Sequence, residues 1–163
     1  METWKTAFLK QARSDMRVFD VLQKDDKYPY CQQLHYLQMA TGKLAKAYSP
    51  EASRGRRPVP VHTAFAHFLR SYGTRAEFSR IFEMSPRQFR TFVESLLPAA
   101  RAIENLAPAG DVDKPNPEYP WENNNGIIAP VDYSFPELKL TTHQMRGLLK
   151  LVRVCMNVAD DNA

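Results

Sequence analysis

Hydrophobic residues recur at three- and four-residue steps along the first 48 residues of the chain. Two such runs fill residues 3–48, and the polar turn Asp25-Asp26-Lys27 lies between them. This spacing places the apolar side chains on one face of an amphipathic helix. The pattern therefore predicts two helices that form an antiparallel hairpin over 3–48.

Two further helices are predicted after this hairpin. The first covers 62–72 and is followed by a turn over 74–84. The second begins at Ser85-Pro86, because serine caps free N–H groups and proline is already fixed at a helical φ. Pro98 lies inside this second helix and predicts a kink, since proline removes one backbone donor and crowds the preceding turn.

The helical period disappears over 107–140. Six of the chain's 12 prolines fall in this insert, and Asn123–Gly126 is a turn signal between two short apolar segments, which favours a loose hairpin or an extended arm. Aromatic side chains need a surface to cover, so we expect the insert to wrap the body of the protein or a partner. The candidate partner-binding residues of this insert are Tyr119, Trp121, Tyr133 and Phe135.

The last helix is predicted over 141–160. Thr141-Thr-His-Gln144 has the pattern of a capping box, in which a threonine and a glutamine three residues later satisfy each other's backbone donors. Apolar residues form one face of this helix. The opposite face carries a basic ridge formed by Arg146, Lys150 and Arg153.

The predicted architecture is all-α. We expect an antiparallel four- to five-helix bundle with a long proline- and aromatic-rich insert before the last helix. A chain of 163 residues has the size of one domain. This domain is divided into a helical hairpin over 3–48, a basic loop over 49–61, helices over 62–106, an extended insert over 107–140 and a C-terminal helix over 141–160.

Composition narrows the class of protein. With 44% apolar and 25% charged residues, the chain has the composition of a globular protein, and no apolar run approaches the roughly 18 residues of a membrane span. The first residues lack the pattern of a secretory signal, so a cytoplasmic protein is expected. Cys31 and Cys155 lie in helical patterns without metal-ligand spacing, which predicts buried thiols, no structural metal and no cofactor.

Charge is distributed unevenly. Residues 1–106 contain 17 Lys/Arg and 10 Asp/Glu, whereas residues 107–163 contain 5 and 8, so the two parts differ in sign. A basic body and an acidic C-terminal third can bind an anion such as nucleic acid or neutralise each other on folding, and both interpretations stay open. The candidate nucleic-acid-binding residues are Arg54, Arg56, Arg57, Arg146, Lys150 and Arg153.

The first two helices and the loop after them resemble the HEPN domains of prokaryotes, the "higher eukaryotes and prokaryotes nucleotide-binding" helical bundles, and the last helix resembles them only in its period. The resemblance consists of an Ala-x-x-Asp at Ala12 and Asp15 on the first helix and of Gln-x-Ala-x-x-Lys-x-x-Lys-Ala, from Gln38 to Ala47, on the second. A loop ending in Val61-His62 follows. The resemblance implies an antiparallel four-helix bundle that often pairs through its helices. It also implies an RNA-cutting toxin, a partner of a minimal nucleotidyltransferase, or a module of a phage-defence system.

Active HEPN proteins carry an Arg-x(4–6)-His motif on the last core helix. Here the last helix has His143 before Arg146, and the Arg-x(4)-His spacing occurs instead at Arg57 and His62, between the second and third predicted helices. Cleavage of RNA without metal needs a base near the 2′-hydroxyl and a cation for the phosphorane, and an Arg/His pair supplies both. Arg57 and His62 are therefore the candidate catalytic residues, while an anion-contacting loop and a structural connector are the alternatives for this segment.

Three functional hypotheses follow. The leading one is a HEPN-like helical module that acts by association in a bacterial toxin–antitoxin or antiviral defence system, with itself, with a protein partner or with nucleic acid, RNA more than DNA. The second is a metal-independent ribonuclease that uses Arg57 and His62. The third is a nucleic-acid-binding protein without catalysis. Whether the protein is an enzyme stays open between them.

Overall fold

The protein is mostly helical, as the sequence predicts. A computed structural model describes residues 2–58, 64–71, 74–106 and 114–158. The helices are α1 (Trp4–Leu22), α2 (Tyr30–Ala47), α3 (Pro50–Ser53), α4 (Ala64–Ser71), α5 (Ala76–Ile81), α6 (Pro86–Glu104) and α7 (His143–Asn157). The remaining elements are two short strands, β1 (Trp121–Asn123) and β2 (Gly126–Ile128), and a 3₁₀ turn over Pro130–Asp132.

The first two helices form the predicted antiparallel hairpin. The ammonium of Lys5 near the start of α1 lies 5.2 Å from the ring centroid of Tyr48, just past the end of α2. Further along, Asp15 of α1 forms an ion pair with Lys43 of α2. The start of α1 therefore lies beside the end of α2, and the two helices run in opposite directions.

Side-chain caps begin three of the long helices, α1, α6 and α7, whereas α2 starts after Pro29 without one. The Ser85 hydroxyl accepts a hydrogen bond from the Gln88 amide, and the Gln88 side chain accepts one from the Ser85 amide, so the predicted start of α6 is confirmed. The predicted capping box of Thr141 and Gln144 is wrong. Thr142 is the residue that caps α7, since its hydroxyl accepts from the Met145 amide.

Two short helices occupy segments where only loops or turns were predicted. α3 lies inside the basic loop, where Ser49 caps it and Pro50 opens it. This is the same serine–proline signal that begins α6, but four residues are too few for a helical period to be visible. α5 lies inside the predicted turn over 74–84 and buries Phe78. The long helix α6 continues through Pro98.

α7 packs antiparallel to α1 and parallel to α2. Arg153 of α7 pairs with Asp20 of α1 at 2.6 Å, whereas the Arg13 guanidinium donates to the Met156 carbonyl. Because Arg13 reaches one of the last carbonyls of α7, it supplies a donor and a positive charge at the negative end of that helix. The Tyr48 hydroxyl also donates to the Cys155 carbonyl at 3.0 Å and so joins the ends of α2 and α7.

The insert forms a hairpin, one of its two predicted forms, and covers the body of its own chain. β1 and β2 pair antiparallel, with Trp121 opposite Ile128 and Asn123 opposite Gly126. The Trp121 ring lies 5.0 Å from Tyr133 and 6.1 Å from Phe135, centroid to centroid. Trp121 and Phe135 are part of the buried core.

The two cysteines are buried thiols, as predicted. Burial raises the pKa of the Cys155 thiol to about 12. A thiol that stays protonated at neutral pH is a poor nucleophile and a poor metal ligand. No helix within the described residues is long and apolar enough to span a membrane.

Candidate functional site

The turn after α3 presents the three arginines of the basic loop. Its backbone is fixed by hydrogen bonds from the amides of Arg54 and Arg56 to the Glu51 carbonyl, at 3.0 and 2.8 Å. Gly55 between them has a φ of +71°, a conformation that glycine adopts without the steric cost of a Cβ. The side chains of Arg54, Arg56 and Arg57 are all exposed.

A tryptophan lies beside these arginines. The guanidinium carbon of Arg57 is 6.0 Å from the ring centroid of Trp4, which is 40% exposed at the start of α1. Such a contact is a weak cation–π interaction. No carboxylate within the described ranges forms an ion pair with any of the three arginines. We call the group of Trp4, Arg54, Arg56 and Arg57 the basic end surface.

The structure describes one residue of the predicted catalytic pair, Arg57. Arg57 belongs to the basic end surface, and its guanidinium lies near the Trp4 ring. His62 lies outside the described residues, so the predicted pairing of Arg57 with His62 stays a prediction.

The basic ridge of α7 is engaged within the chain. Arg153 pairs with Asp20 at 2.6 Å, and the ammonium of Lys150 lies 4.8 Å from the ring centroid of Phe82. Arg146 is exposed in the first turn of the helix. Two of the three ridge cations thus already have a partner.

The six predicted nucleic-acid-binding residues do not form one compact site. Arg57 contacts Trp4 and Arg153 contacts Asp20, which are both on α1. At 1.5 Å per residue, these two contact points are about 24 Å apart along the helix. The turn and the ridge are therefore separate surfaces.

The predicted partner-binding residues need correction. Trp121 and Phe135 are only 4% and 3% exposed, so they stabilise the fold and are not available to a partner. Tyr133 is half-buried between them, and Tyr119 alone is exposed, at 61%. The burial of this cluster follows from its apolar area, which the body of the same chain covers.

The insert exposes apolar side chains other than those of Trp121 and Phe135. Ile127 is 80% exposed at the centre of β2, opposite Glu122, and Val131 is also exposed. The sequence signal was the alternation of side chains along a strand, which places Ile127 on the opposite face from its neighbour Ile128.

A half-buried ion pair joins α1 to α2. The carboxylate of Asp15 accepts from Lys43 at 2.5 Å and from the Gln11 amide group at 3.1 Å. The Asp15 side chain is 8% exposed, so removal of either hydrogen-bond donor leaves a buried charge without full compensation.

Lys46, one turn after Lys43, lines a cleft that the sequence did not indicate. Within the described part of the chain, it forms no ion pair. Burial, and then the neighbouring charge of Lys43, lower the pKa of Lys46. A perturbed lysine in a cleft is a candidate for ligand binding.

The described histidines and acids offer no metal site. His35 and Glu118 approach each other, with 3.8 Å between Nδ1 and Oε2. No group of three or more His, Cys, Asp or Glu side chains in the described ranges is arranged to hold a metal ion.

Comparison with known proteins finds no match for the chain. No family model, no curated protein and no solved structure matches the chain. The HEPN resemblance therefore rests only on the residues that carry it.

Proposed function

We propose that this protein is a HEPN-like helical module that acts by association, and that its basic end surface binds single-stranded nucleic acid, RNA in preference to DNA. One observation carries the proposal. Three exposed arginines without a carboxylate partner in the described chain lie on one short turn, and one of them contacts an exposed tryptophan.

This combination suits the two parts of an unpaired nucleotide. Guanidinium groups donate several parallel hydrogen bonds and match the geometry of a phosphate. An exposed indole is a platform on which any base stacks, whatever its sequence. Because Arg57 is within contact distance of Trp4, one nucleotide can place its base on the ring and its phosphate near the guanidinium.

The biological setting follows only from the resemblance. HEPN-like modules that associate with RNA or with a partner protein belong to toxin–antitoxin and antiviral defence systems, and we propose such a setting for this chain. Catalysis is not part of the leading proposal, since the base that RNA cleavage needs would have to come from His62.

The test is binding of a labelled, mixed-sequence single-stranded RNA, measured by fluorescence anisotropy without metal at several salt concentrations. The variant Arg54→Gln/Arg56→Gln/Arg57→Gln is expected to lose affinity at least 10-fold. The slope of log K against log salt should become shallower by about 2, because each phosphate contact to a single strand contributes roughly 0.7.

The matched control removes the same charge elsewhere. Arg87→Gln/Arg90→Gln/Arg101→Gln replaces three exposed arginines of α6 and is expected to bind RNA almost as wild type does. Equal losses in the two triple variants would mean that only net charge matters, which contradicts a site at the turn.

The same samples also test the ribonuclease hypothesis. RNA recovered from the incubation is separated on a denaturing gel, with Arg57→Ala and His62→Ala as additional variants. Cleavage by wild type that is lost in both single variants would replace the binding proposal with a metal-independent ribonuclease.

A protein contact at the insert is a second candidate, favoured by the exposed apolar side chains of Tyr119, Ile127 and Val131. Large apolar groups that stay exposed in a folded chain are often covered in a complex. Light scattering after size-exclusion chromatography gives the oligomeric state of wild type and of Ile127→Lys. A dimer that dissociates in the variant would locate the contact at β2, with Glu122→Gln as the control on the neighbouring strand.

A further inference from the structure

An open groove lies between the first turns of α2 and the insert. Its volume is about 540 Å³, which is within the size range of ligand-binding clefts. One wall is formed by residues 31–36 of α2, and the other is formed by parts of the segment 117–131. Pro120 and Val131 are the exposed apolar residues of the second wall.

Contacts between α2 and the insert hold the two walls in place. The Tyr30 hydroxyl, at the start of α2, donates to the Leu138 carbonyl and accepts from the Leu140 amide at 3.2 Å. The 3₁₀ turn over Pro130–Asp132 also packs against α2. The groove is therefore formed by the chain itself, which lowers the entropic cost of binding a ligand there.

The wall of the insert presents a carboxylate, that of Glu118. The backbone at this position is fixed, because the Asn116 side chain accepts hydrogen bonds from the amides of Glu118 and Tyr119, at 2.8 and 3.0 Å. The Glu118 side chain is 48% exposed, so its carboxylate is accessible at the groove.

The partners of this carboxylate do not neutralise it. The Nδ1 atom of His35 lies 3.8 Å from Oε2 of Glu118, and a histidine balances a carboxylate only when it is protonated. A hydrogen bond to Glu118, and then the charge of Glu118, raise the pKa of the Tyr119 hydroxyl, which is itself neutral. No Lys or Arg side chain in the described ranges forms an ion pair with Glu118.

The segments that carry the two walls differ in charge from the rest of the chain. Residues 28–42 and 115–137 contain 4 Asp/Glu and no Lys or Arg, although the chain contains 22 Lys/Arg. Two of these acids, Glu122 and Asp132, are exposed close in sequence to lining residues. The complementary ligand is therefore a cation, and a polyanion such as RNA is disfavoured here.

The apolar part of the groove indicates what carries the cation. Val131 is 59% exposed, and Pro120 is exposed in the same wall. The hydrocarbon stem of an arginine packs on such a surface while its charged end stays in contact with a polar group. A guanidinium also matches a carboxylate with two parallel hydrogen bonds. A peptide with arginine beside apolar residues fits both parts of the groove.

We infer that this groove binds a basic, apolar peptide segment of a partner protein, with one arginine side chain on Glu118 and a neighbouring apolar side chain on Val131. The inference rests on the second candidate function, a protein contact at the insert, and names the chemistry of that partner. It does not depend on the proposed RNA binding, since the groove and the basic end surface share no residue.

The experiment is a titration of the whole protein with the capped peptide Ala-Leu-Arg-Leu-Arg-Ala, followed by NMR chemical shifts. The peptide Ala-Leu-Gln-Leu-Gln-Ala lacks the cations, and Ala-Ser-Arg-Ser-Arg-Ala lacks the apolar side chains. We expect the first peptide to saturate the protein and to bind about 10-fold more tightly than either control peptide.

Two pairs of variants locate the binding. Glu118→Gln should weaken binding of the first peptide about 10-fold and leave the glutamine peptide unaffected, whereas Glu94→Gln replaces an exposed acid of α6 and should bind as wild type does. Val131→Ser should weaken binding about 5-fold. Val21→Ser is the matched control, because Val21 on α1 is 58% exposed and Val131 is 59% exposed.

Three results would overturn the inference. These are no saturable binding of the first peptide up to about 10 mM, equal affinity for the arginine and glutamine peptides, or equal effects of Glu118→Gln and Glu94→Gln. A wild-type dimer that dissociates in Val131→Ser, without peptide binding, would assign the groove to a second copy of the chain and so also contradict a partner segment.

The other proposals fail or succeed separately. The oligomeric state of Ile127→Lys reports on a contact at β2, since Ile127 does not line the groove. Loss of peptide binding with an Ile127-dependent dimer would therefore contradict the groove alone. Glu118→Gln should keep wild-type affinity for RNA, and the triple arginine variant of the turn should keep wild-type affinity for the first peptide.

Discussion

The turn after α3 and the ridge on α7 each carry three cations within a few residues, but the fold treats them differently. On the ridge, Arg153 pairs with Asp20, and Lys150 lies over the ring of Phe82. On the turn, the arginines have no carboxylate partner in the described chain, and Arg57 lies beside an exposed ring. The partners come from distant parts of the chain. Charge spacing in a sequence therefore does not reveal which cations are available to a ligand.

The same contrast occurs inside α2. Lys43 and Lys46 are one turn apart, and Lys43 is held by Asp15 while Lys46 lines a cleft without an ion-pair partner in the described chain. If the distinction between engaged and available cations is correct, the two groups must respond differently to substitution. Stability should depend on the engaged cations, and binding should depend on the available ones.

The largest expected effect is the loss of Lys43. Lys43→Met should lower the free energy of unfolding by about 3 kcal/mol, because it leaves the Asp15 carboxylate buried with only Gln11 as a donor. Lys46→Met should leave stability unchanged or raise it slightly, since it removes an unpaired, half-buried charge. Urea unfolding of both variants measures the difference. Equal losses in the two variants would show that pairing does not separate the two lysines.

The next effect concerns the ring beside the turn. Trp4→Ala should weaken RNA binding by about 2 kcal/mol, near 30-fold, since stacking on an aromatic side chain contributes roughly 1–3 kcal/mol per base. Trp4→Phe keeps a ring and should retain most of the affinity. Anisotropy titrations give both values. An affinity of Trp4→Ala equal to that of wild type would mean that the arginines bind phosphate without a stacked base.

Much of the fold follows from the sequence because its signals are local. The start of α6 was predicted from Ser85-Pro86, and the hairpin of the insert was predicted from the turn at Asn123–Gly126. α3 and α5 were not predicted, since four and six residues contain too little of a 3.6-residue period. The serine before Pro50 was the one available signal for α3.

The candidate site follows less well from the sequence because it depends on contacts between distant segments. That the aromatic insert needs a surface was a correct expectation, but the sequence did not decide whether the surface belongs to the same chain. The burial of Trp121 and Phe135 decides it for those two residues. Likewise, nothing near Arg57 in sequence indicates Trp4, which is 53 residues earlier.

A smaller effect would come from releasing a ridge cation. Asp20→Asn removes the partner of Arg153 and should make the salt dependence of RNA binding steeper by at most about 0.7, the contribution of one phosphate contact. The loss of stability should stay within about 1 kcal/mol, because the pair is partly exposed. Asp26→Asn, an exposed acid outside this pair, is the control for net charge. An equally steeper salt dependence of RNA binding in both variants would show that the ion pair with Asp20 does not keep Arg153 from contacting a phosphate.

The smallest expected effect is that of Lys150. Lys150→Gln should lower the free energy of unfolding by about 0.5 kcal/mol, the size of an exposed cation–π contact, and should leave RNA affinity almost unchanged. A double-mutant cycle with Phe82→Leu isolates the contact between Lys150 and Phe82. The loss in free energy of unfolding caused by Lys150→Gln should be smaller when the Phe82 ring is already absent. Urea unfolding of the four proteins gives the coupling energy. A large loss of RNA affinity in Lys150→Gln, with no coupling to Phe82, would transfer the nucleic-acid surface from the turn to the ridge and reverse the contrast between the two regions.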